Sequence, residues 1–199
     1  AGLAPAEHRV ITDVDGVDGL LVTRFDRIGT DALAAEDACQ VAGLPPADKY
    51  LMTTEQVCHA LASRCQAPLV AARTLLIQHA FAYLTANGDA HAKNFSILQH
   101  PNGEWKVSPP YDLPTSQVYD DSTTALSVNG RRSDLGVRDF LALGSALELP
   151  EMAVRRTLLS QTERVEAWLP LVDDLPFDAA RLRKLRRVIE RRRARLTPT

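Results

Sequence analysis

A long apolar stretch between residues 68 and 86 constrains the fold of this chain more than any other part of the sequence. It begins at Pro68, which suits the first turn of a helix, and it meets no glycine or further proline before Gly88. Its apolar residues cover most of a helical circumference instead of one stripe; they are Leu69, Val70, Leu76, Ile77, Ala80, Phe81 and Leu84. We therefore predict a long central helix that ends near Gly88 and is buried by the rest of the chain.

A polar segment follows this helix directly, with the sequence Asn87-Gly88-Asp89-Ala90-His91-Ala92-Lys93-Asn94. It places a carboxylate, an imidazole, an ammonium group and a carboxamide within six residues. Asp89 and Asn94 have the spacing of the catalytic aspartate and the metal-binding asparagine in the catalytic loop of protein kinases. Asn-Gly-Asp on its own is also ordinary turn chemistry, so a second acid is needed to indicate a site.

The second acid is Asp112, and a predicted hairpin brings it to the loop. Residues 95–98 and 105–108 are β-rich, and a turn sequence separates them. A tight hairpin places the residues outside its two ends next to each other, so Asp89, Asn94 and Asp112 should be neighbours. Two carboxylates and an amide at one place would suit a magnesium–nucleotide site, since magnesium prefers oxygen ligands. This arrangement indicates the catalytic half of a phosphotransferase.

The remaining pattern predicts a mostly helical fold with small β-hairpins. We expect a hairpin over residues 8–26, whose aspartate-rich link reads as a turn because it lacks the spacing of a calcium loop. Helices are predicted over 31–41 with Asp31 as its cap, 53–65 with a capping box at Thr53, 137–147, 151–169 and 177–196. Residues 113–134 read as a surface loop with one short strand at 125–128.

Composition and cysteine usage narrow the class of protein. The apolar share of 45% and the charged share of 24% are ordinary for a globular chain, and no run of 18 apolar residues or secretory signal is visible. The three cysteines, an odd number without a C-x-x-C pair, argue against a disulfide framework or a zinc site. We interpret them as small apolar residues of a core in a reducing, cytoplasmic setting.

Charge is unevenly distributed along the chain. Residues 181–195 hold nine Lys or Arg against the single acid Glu190, although the whole chain has a net charge of −2. One interpretation is a solvated or internally paired helix face, since apolar residues recur there at three to four positions. The other is a surface for nucleic acid or an acidic partner. A smaller pair, Arg131 and Arg132, lies on the predicted loop.

Four segments of the chain resemble the HipA family of bacterial toxin serine/threonine kinases. They are Arg24-Phe25-Asp26-Arg27, Gly43-Leu44-Pro45-Pro46 with Lys49-Tyr50, the run from Gly88 to Ser96, and Tyr111-Asp112-Leu113. They occur in the order of the family and at compatible spacings, so the resemblance covers nearly the whole chain. The Asp-x-His-x-Lys-Asn-Phe-Ser run is the most specific of them.

The resemblance implies ATP and Mg²⁺ as cofactors and gives the site residues their roles. Asp89 is similar to the catalytic base, and Asn94 and Asp112 to the magnesium ligands. Residues 23–25 resemble the hinge that meets the adenine, and Tyr111 lies beside the nucleotide in the family. The implied nucleotide-binding residues are Thr23, Arg24, Phe25, His91, Ala92, Lys93, Asn94, Tyr111 and Asp112. Asp26 is open to two interpretations, a ribose contact or an exposed ion pair with Arg27.

The resemblance also implies partners. Family members phosphorylate a protein, in the best-known case an aminoacyl-tRNA synthetase, and act in bacterial persistence. A DNA-binding antitoxin of the HipB type restrains them, so DNA is an expected partner through that complex. Arg131 and Arg132 are candidate contacts with such a partner. No membrane partner is expected.

This sequence departs from the family pattern at its beginning. It has no lysine before Lys49 and no G-x-G-x-x-G, the features that hold the phosphates in the N-terminal lobe. We therefore expect residues 1–26 to be a remnant of that lobe with the hinge, and residues 27–199 to be the helical C-terminal kinase lobe. Because phosphoryl transfer depends on positioning and charge stabilisation, the chain alone should have little activity. The alternatives are a non-catalytic module that docks an antitoxin or DNA, and a kinase acting on a small molecule or lipid.

Overall fold

The computed structural model describes residues 2–121 and 123–198. Within them the strands are β1 (His8–Thr12), β2 (Asp18–Val22), β3 (Arg27–Ile28), β4 (Asp31–Ala32), β5 (Ala35–Asp37), β6 (Ser96–Gln99) and β7 (Trp105–Val107). The helices are α1 (Ala38–Val41), α2 (Thr54–Ala62), α3 (Pro68–Leu84), α4 (Val137–Ala146), α5 (Glu151–Trp168) and α6 (Ala179–Leu196). Short 3₁₀ helices lie at Pro46–Asp48, Ala92–Asn94, Gln117–Tyr119 and Leu169–Asp174. The fold is mostly helical with small antiparallel sheets, as the sequence predicts.

The predicted N-terminal hairpin is confirmed by the pairing of β1 with β2. Its aspartate-rich link is a turn, in which Asp13 Oδ1 accepts the backbone N–H groups of Asp15 and Val17 at 2.9 and 2.8 Å. The hairpin leaves its apolar side chains exposed on both faces. Val10 and Leu20, which pair across the two strands, are 70% and 64% exposed.

The predicted helix 31–41 is wrong over most of its length. Its first part forms β4 and β5, and only α1 is helical. The cap is Asp37 rather than Asp31, because Asp37 Oδ1 accepts the N–H of Gln40 and Gln40 Oε1 accepts the N–H of Asp37, both at 2.9 Å. The reason is tertiary, since β5 pairs with β6, a strand about sixty residues further along the chain.

Helices α2 and α3 form as the sequence predicts. Thr53 Oγ1 accepts the N–H of Gln56 at 3.2 Å, and Gln56 Oε1 accepts the N–H of Thr53 at 2.8 Å, which is the predicted capping box. Helix α3 packs against α2, α4, α5 and α6 and is the central element of the fold. Its first turn is the exception, because Leu69 and Val70 are exposed and burial begins at Ala71.

The second predicted hairpin is confirmed, and it connects the two halves of the polar site. Strands β6 and β7 pair antiparallel with Ile97 opposite Val107, and β6 is the middle strand of the β5–β6–β7 sheet. The pairing continues beyond the strands, where Ser108 N donates to Ser96 O at 2.9 Å. The chain therefore enters β6 and leaves β7 at the same end of the sheet.

The C-terminal helices support the end of α3. Helices α4 and α5 pack closely at Gly144, where a Cβ atom would lie 2.3 Å from Val154 Cγ2. Arg192 of α6 is buried and donates to the carbonyl oxygen of Tyr83 at 2.6 Å, with its guanidinium 4.5 Å from the centre of the Tyr83 ring. This contact joins α6 to the last turn of α3. The position favours a cation because the C-terminal end of a helix carries partial negative charge.

The predicted strand at 125–128 is wrong. Ala125, Leu126 and Val128 are buried, and Val128 forms only an isolated bridge with Arg131. These apolar side chains are buried in the core although the segment pairs with no neighbouring strand in the described part of the chain. The carbonyl oxygen of Ser127 instead accepts the N–H of Thr54 at 2.9 Å. The strand was predicted from apolar residues that are buried here without strand pairing, which explains why the prediction is wrong.

The cysteines agree with their interpretation as core residues. Cys39, Cys58 and Cys65 are free and buried. Burial raises the pKa of the Cys65 thiol to about 11, which makes it unreactive at neutral pH.

In the described residues no helix is long and apolar enough to cross a bilayer, and no cluster of three or more metal-binding His, Cys, Asp or Glu side chains occurs.

His79 should make the stability of the fold depend on pH. It is buried in α3, its ring stacks on Phe95 with centroids 4.0 Å apart, and burial lowers its pKa to about 3. The unfolded chain binds a proton near the ordinary value of 6.5, so the free energy of unfolding should fall as pH drops from about 6.5 towards 3. This one group should contribute up to about 1.4 kcal/mol per pH unit in that window.

Urea unfolding at pH 7.5 and pH 5.0 tests this prediction. His79→Phe should reduce the difference in unfolding free energy between the two pH values, whereas the same change at the exposed His59 should leave it unaltered. An equal pH dependence in wild type and His79→Phe would show that His79 does not cause it.

Candidate functional site

The polar loop leaves α3 through a turn in which the residue with left-handed backbone is Ala86, with φ of 57°, and not Gly88. Glycine is needed at position 88 for a different reason. A Cβ atom there would lie 2.4 Å from Ser116 Oγ and from Asp121 Oδ2, and the Gly88 N–H donates to Ser116 Oγ at 2.7 Å. The start of the loop is thereby held against the segment that follows Asp112.

Asp89 lies exposed on this loop. Its own N–H donates to Asn87 Oδ1 at 2.9 Å, and its carbonyl accepts the N–H of His91 at 2.8 Å. Its carboxylate Oδ1 accepts a hydrogen bond from the Tyr50 hydroxyl at 2.7 Å. The backbone is therefore fixed and one carboxylate oxygen is held, in a position open to solvent.

Asn94 and Asp112 meet directly, although 18 residues separate them. Asn94 Nδ2 donates to Asp112 Oδ2 at 2.5 Å, while Asn94 Oδ1 accepts the N–H of His91 at 3.0 Å. Asn94 is buried, whereas Asp112 is exposed and has left-handed backbone, with φ of 52°. The β6–β7 hairpin brings the two residues together, as the sequence predicts.

This pair fits a magnesium ion chemically. The Asp112 carboxylate and the Asn94 amide oxygen are hard oxygen donors, and each Oδ1 atom keeps a lone pair for a further partner. Magnesium in nucleotide sites is usually held by one or two carboxylates together with phosphate oxygens and water. The exposure of Asp112 leaves room for those remaining ligands.

Tyr111 connects the loop, the hairpin and the predicted hinge. Its hydroxyl donates to Lys93 O at 2.7 Å and lies 2.6 Å from Ser96 Oγ, which must then be the donor to it. Its ring centre lies 5.5 Å from that of Phe25. Tyr111 thus fixes the backbone just before Asn94 and contacts the segment predicted to bind adenine.

His91 is held in one tautomer by Lys49. Lys49 Nζ lies 2.9 Å from His91 Nε2, and because an ammonium group can only donate, Nε2 accepts and the proton is on Nδ1. Burial, followed by the nearby Lys49 charge, lowers the pKa of His91, so the ring is neutral. His91 Nδ1 is buried and has no hydrogen-bond partner among the described residues. The N–H of Ala92 donates to Lys49 O at 3.0 Å, so this amide is not available to a phosphate.

The predicted hinge forms the wall of a cavity. Thr23, Arg24 and Phe25 line a space of about 390 Å³ that extends to Ser96 and Tyr111. The Thr23 N–H already donates to Glu7 O at 2.8 Å, so a ligand there would have to use other backbone groups of the hinge. A larger cavity of about 590 Å³, mostly apolar, lies between α3, the N-terminal hairpin and residues 110–114.

Asp26 does pair with Arg27, but the pair is not exposed on the aspartate side, because Asp26 is buried. Its Oδ1 accepts from Arg24 Nε at 2.8 Å, and its Oδ2 accepts from Arg27 Nη1 at 2.7 Å. The hydrogen bond from Arg24 lowers the pKa of this carboxyl group and keeps it charged. Both arginines therefore serve to stabilise Asp26 at the wall of the hinge cavity.

The basic residues of α6 are mostly paired within the chain. The pairs formed with acidic side chains are Arg181–Asp178, Lys184–Asp120, Arg186–Asp173, Arg193–Glu166 and Arg195–Asp134. This supports the first of the two interpretations of the basic run. Arg131 and Arg132 are both exposed, and Arg132 Nη2 donates to the carbonyl oxygen of Tyr50 at 3.3 Å.

Two residues of this site received no role from the sequence. Lys49 and Tyr50 follow a 3₁₀ turn and contact the polar loop from a segment about forty residues earlier. They belong to no periodic pattern, so only their position in the family motif could have indicated them. The structure brings together Asp89, His91, Asn94, Tyr111 and Asp112, and it places Arg131 and Arg132 outside this group.

Comparison with known proteins gives the family. The model of the HipA-like C-terminal domain matches residues 1–169. Y4mE of Sinorhizobium fredii, named as a proposed kinase, is 34% identical over 198 residues, which covers 90% of this chain and 46% of that protein. The serine/threonine-protein kinase toxin HipA of Shewanella oneidensis is 31% identical over 129 residues, 55% of this chain and 30% of that protein.

Solved structures give the same fold. In the complex of HipA, HipB and operator DNA from Shewanella oneidensis, the matching chain has a TM-score of 0.78 at 22% identity, covering 98% of this chain and 51% of that one. The proinflammatory kinase CtkA of Helicobacter pylori has a TM-score of 0.66 at 15% identity, covering 98% and 75%. The chain spans about half the length of the curated relatives that it matches over most of its own length. With a family match over residues 1–169 and a kinase-like C-lobe fold, this chain belongs to the HipA-like C-terminal domain family.

Proposed function

We propose that this chain is the catalytic lobe of an ATP-dependent protein kinase that transfers the γ-phosphoryl group of ATP to a serine or threonine hydroxyl. The observation that carries the proposal is the hydrogen bond between Asn94 and Asp112, next to the loop that holds Asp89. Metal-binding oxygens and an exposed carboxylate are the groups that kinases use for this reaction. The names of the relatives, kinases in each case, support it.

Each residue has a defined task in this proposal. Asn94 and Asp112 would hold Mg²⁺, and Asp89 would accept the proton of the acceptor hydroxyl as the phosphoryl group is transferred. When bound, the metal supplies positive charge against the phosphate oxygens. The neutral His91 and the half-buried Lys93 would line the phosphates.

The adenosine part of ATP would occupy the 390 Å³ cavity at the hinge. This volume is within the range of small-molecule sites, and the ring pair of Phe25 and Tyr111 supplies an apolar surface for a base. Tyr111 is adjacent in sequence to Asp112, so the base and the phosphates would lie on the two sides of one short segment.

Full activity would require groups that this sequence lacks. We propose that residues 1–26 end an N-terminal lobe, that residues 27–199 form the helical lobe, and that the complete gene product supplies a phosphate-binding loop and lysine. The exposed apolar hairpin β1–β2 supports this proposal, because single hairpins are marginal unless another element covers them.

We further propose a role as the toxin of a toxin–antitoxin pair, with a DNA-binding protein of the HipB type as partner and a protein as substrate. The complex of the Shewanella oneidensis relative with HipB and operator DNA supports the choice of partner. Arg131 and Arg132, exposed on one loop, are the proposed contact with this partner or its DNA.

A phosphoryl-transfer assay tests the proposed reaction. The complete gene product, given γ-labelled ATP and a lysate of its host, should label a protein on serine or threonine. The 199-residue chain alone should bind Mg-ATP more weakly than about 1 mM, since it holds no G-x-G-x-x-G and no lysine before Lys49. Label in metabolites or lipids but not in protein would contradict the proposed acceptor, and no ATP turnover at all would contradict the kinase assignment.

A further inference from the structure

We propose that Tyr50 is a positioning residue, which holds the Asp89 carboxylate by one oxygen so that the other oxygen faces the acceptor hydroxyl. The inference rests on the proposed function, because it gives Tyr50 a task only if Asp89 is the base. It assigns a role to a residue that the sequence left without one.

The contact itself is specific. The Tyr50 hydroxyl donates to Asp89 Oδ1 at 2.7 Å, a hydrogen bond to a charged acceptor and therefore of the stronger kind. Asp89 is exposed, and no other hydrogen bond to its carboxylate is found in the described residues. Without the tyrosine, the carboxylate would be free to turn about its side-chain bonds.

Tyr50 is in turn held from several directions. Its ring meets the His91 ring edge-on, with centroids 5.2 Å apart, and Lys49 Nζ lies 4.9 Å from the centre of the same ring. Its carbonyl oxygen accepts from Arg132 Nη2 at 3.3 Å. The neighbouring Lys49 contacts the loop twice, through Nζ to His91 and through its carbonyl to the N–H of Ala92. A hydroxyl fixed in this way can orient the Asp89 carboxylate, because a supporting residue positions a functional group only when its own conformation is fixed.

A general base acts only when it lies within hydrogen-bond reach of the proton that it removes. Because Tyr50 holds Oδ1, the orientation of the carboxylate is set before substrate binds, and Oδ2, which has no hydrogen bond among the described residues, faces the acceptor. Misplacement by about 1 Å can cost about a hundredfold in rate. Loss of the hydroxyl should therefore lower kcat while leaving nucleotide binding, which uses other residues, unchanged.

The experiment compares Tyr50→Phe with Tyr119→Phe in the complete gene product. Tyr119 is an exposed tyrosine outside the site, so its variant controls for the loss of a hydroxyl. Tyr50→Phe should lower kcat by about 10- to 100-fold with little change in the KM for Mg-ATP. In an Asp89→Asn background the same change should have no further effect on kcat, because the side chain that Tyr50 positions can no longer accept the proton.

A second readout does not depend on activity. In protein labelled with ¹³C at aspartate carboxyl groups, the Asp89 signal, assigned by its loss in Asp89→Asn, should shift in Tyr50→Phe and not in Tyr119→Phe. An unshifted signal, or a wild-type kcat in Tyr50→Phe, would overturn the positioning role. An active enzyme that is insensitive to Asp89→Asn would instead overturn the proposed function, so the two failures are distinct.

Discussion

Replacing Asp89 by asparagine is expected to lower the kcat of phosphoryl transfer by about 10²- to 10⁴-fold in the complete gene product. The amide has nearly the shape of the carboxylate and can still accept the hydrogen bond from Tyr50, but it cannot take the proton of the acceptor hydroxyl. The loop should keep its conformation, because its backbone is held through Asn87 and Ser116 and not through the Asp89 side chain.

Steady-state kinetics with calorimetric titration of Mg-ATP would measure this effect. The affinity for Mg-ATP should stay within a factor of two or so of the wild type, because Asp89 is not a proposed ligand of the nucleotide. Asp15→Asn, in the exposed turn of the N-terminal hairpin, is the matched control and should have wild-type kinetics. Turnover by Asp89→Asn at the wild-type rate would remove Asp89 from the mechanism.

Replacing Asp112 by asparagine should lower kcat by about 10²- to 10³-fold and raise the Mg²⁺ concentration needed for half-maximal rate. The change removes the only carboxylate of the proposed metal pair, and charge stabilisation by such a metal is worth several kcal/mol. Asparagine is chosen because the position has φ of 52°, a backbone conformation that asparagine tolerates.

Asp120→Asn is a suitable control for this variant. Asp120 is also exposed and also has left-handed backbone, with φ of 69°, but it pairs with Lys184 on the surface. Its loss should change neither rate nor metal dependence, since exposed ion pairs contribute little. An Asp112→Asn enzyme with the metal dependence of the wild type would show that the metal is held elsewhere.

The parts of the fold that could be predicted are those with local signals. The capping box at Thr53 placed the start of α2, and the absence of glycine and proline gave the extent of α3. The segment 31–41 could not be predicted correctly, because its strand pairs with β6 and this partner is invisible to local sequence.

The candidate site, like the fold, was predictable where the local sequence carries a signal and not where distant segments meet. A turn sequence between two β-rich runs was enough to predict that Asn94 and Asp112 would meet, and their side chains are hydrogen-bonded. The contact of Tyr50 with Asp89 was not predictable, because it depends on how the segment after α1 crosses the loop. Gly88 was interpreted as a helix stop, whereas its requirement comes from the close approach of Ser116, a contact that only the folded chain reveals.

The most direct test of the magnesium–nucleotide site is the anomalous scattering of Mn²⁺ in crystals of the complete gene product with a non-hydrolysable ATP analogue. We expect a metal peak about 2.1 Å from an Asp112 carboxylate oxygen and from Asn94 Oδ1, with the phosphates beside it. A bound nucleotide whose metal lies away from both residues, with the hydrogen bond between Asn94 and Asp112 unbroken, would contradict it.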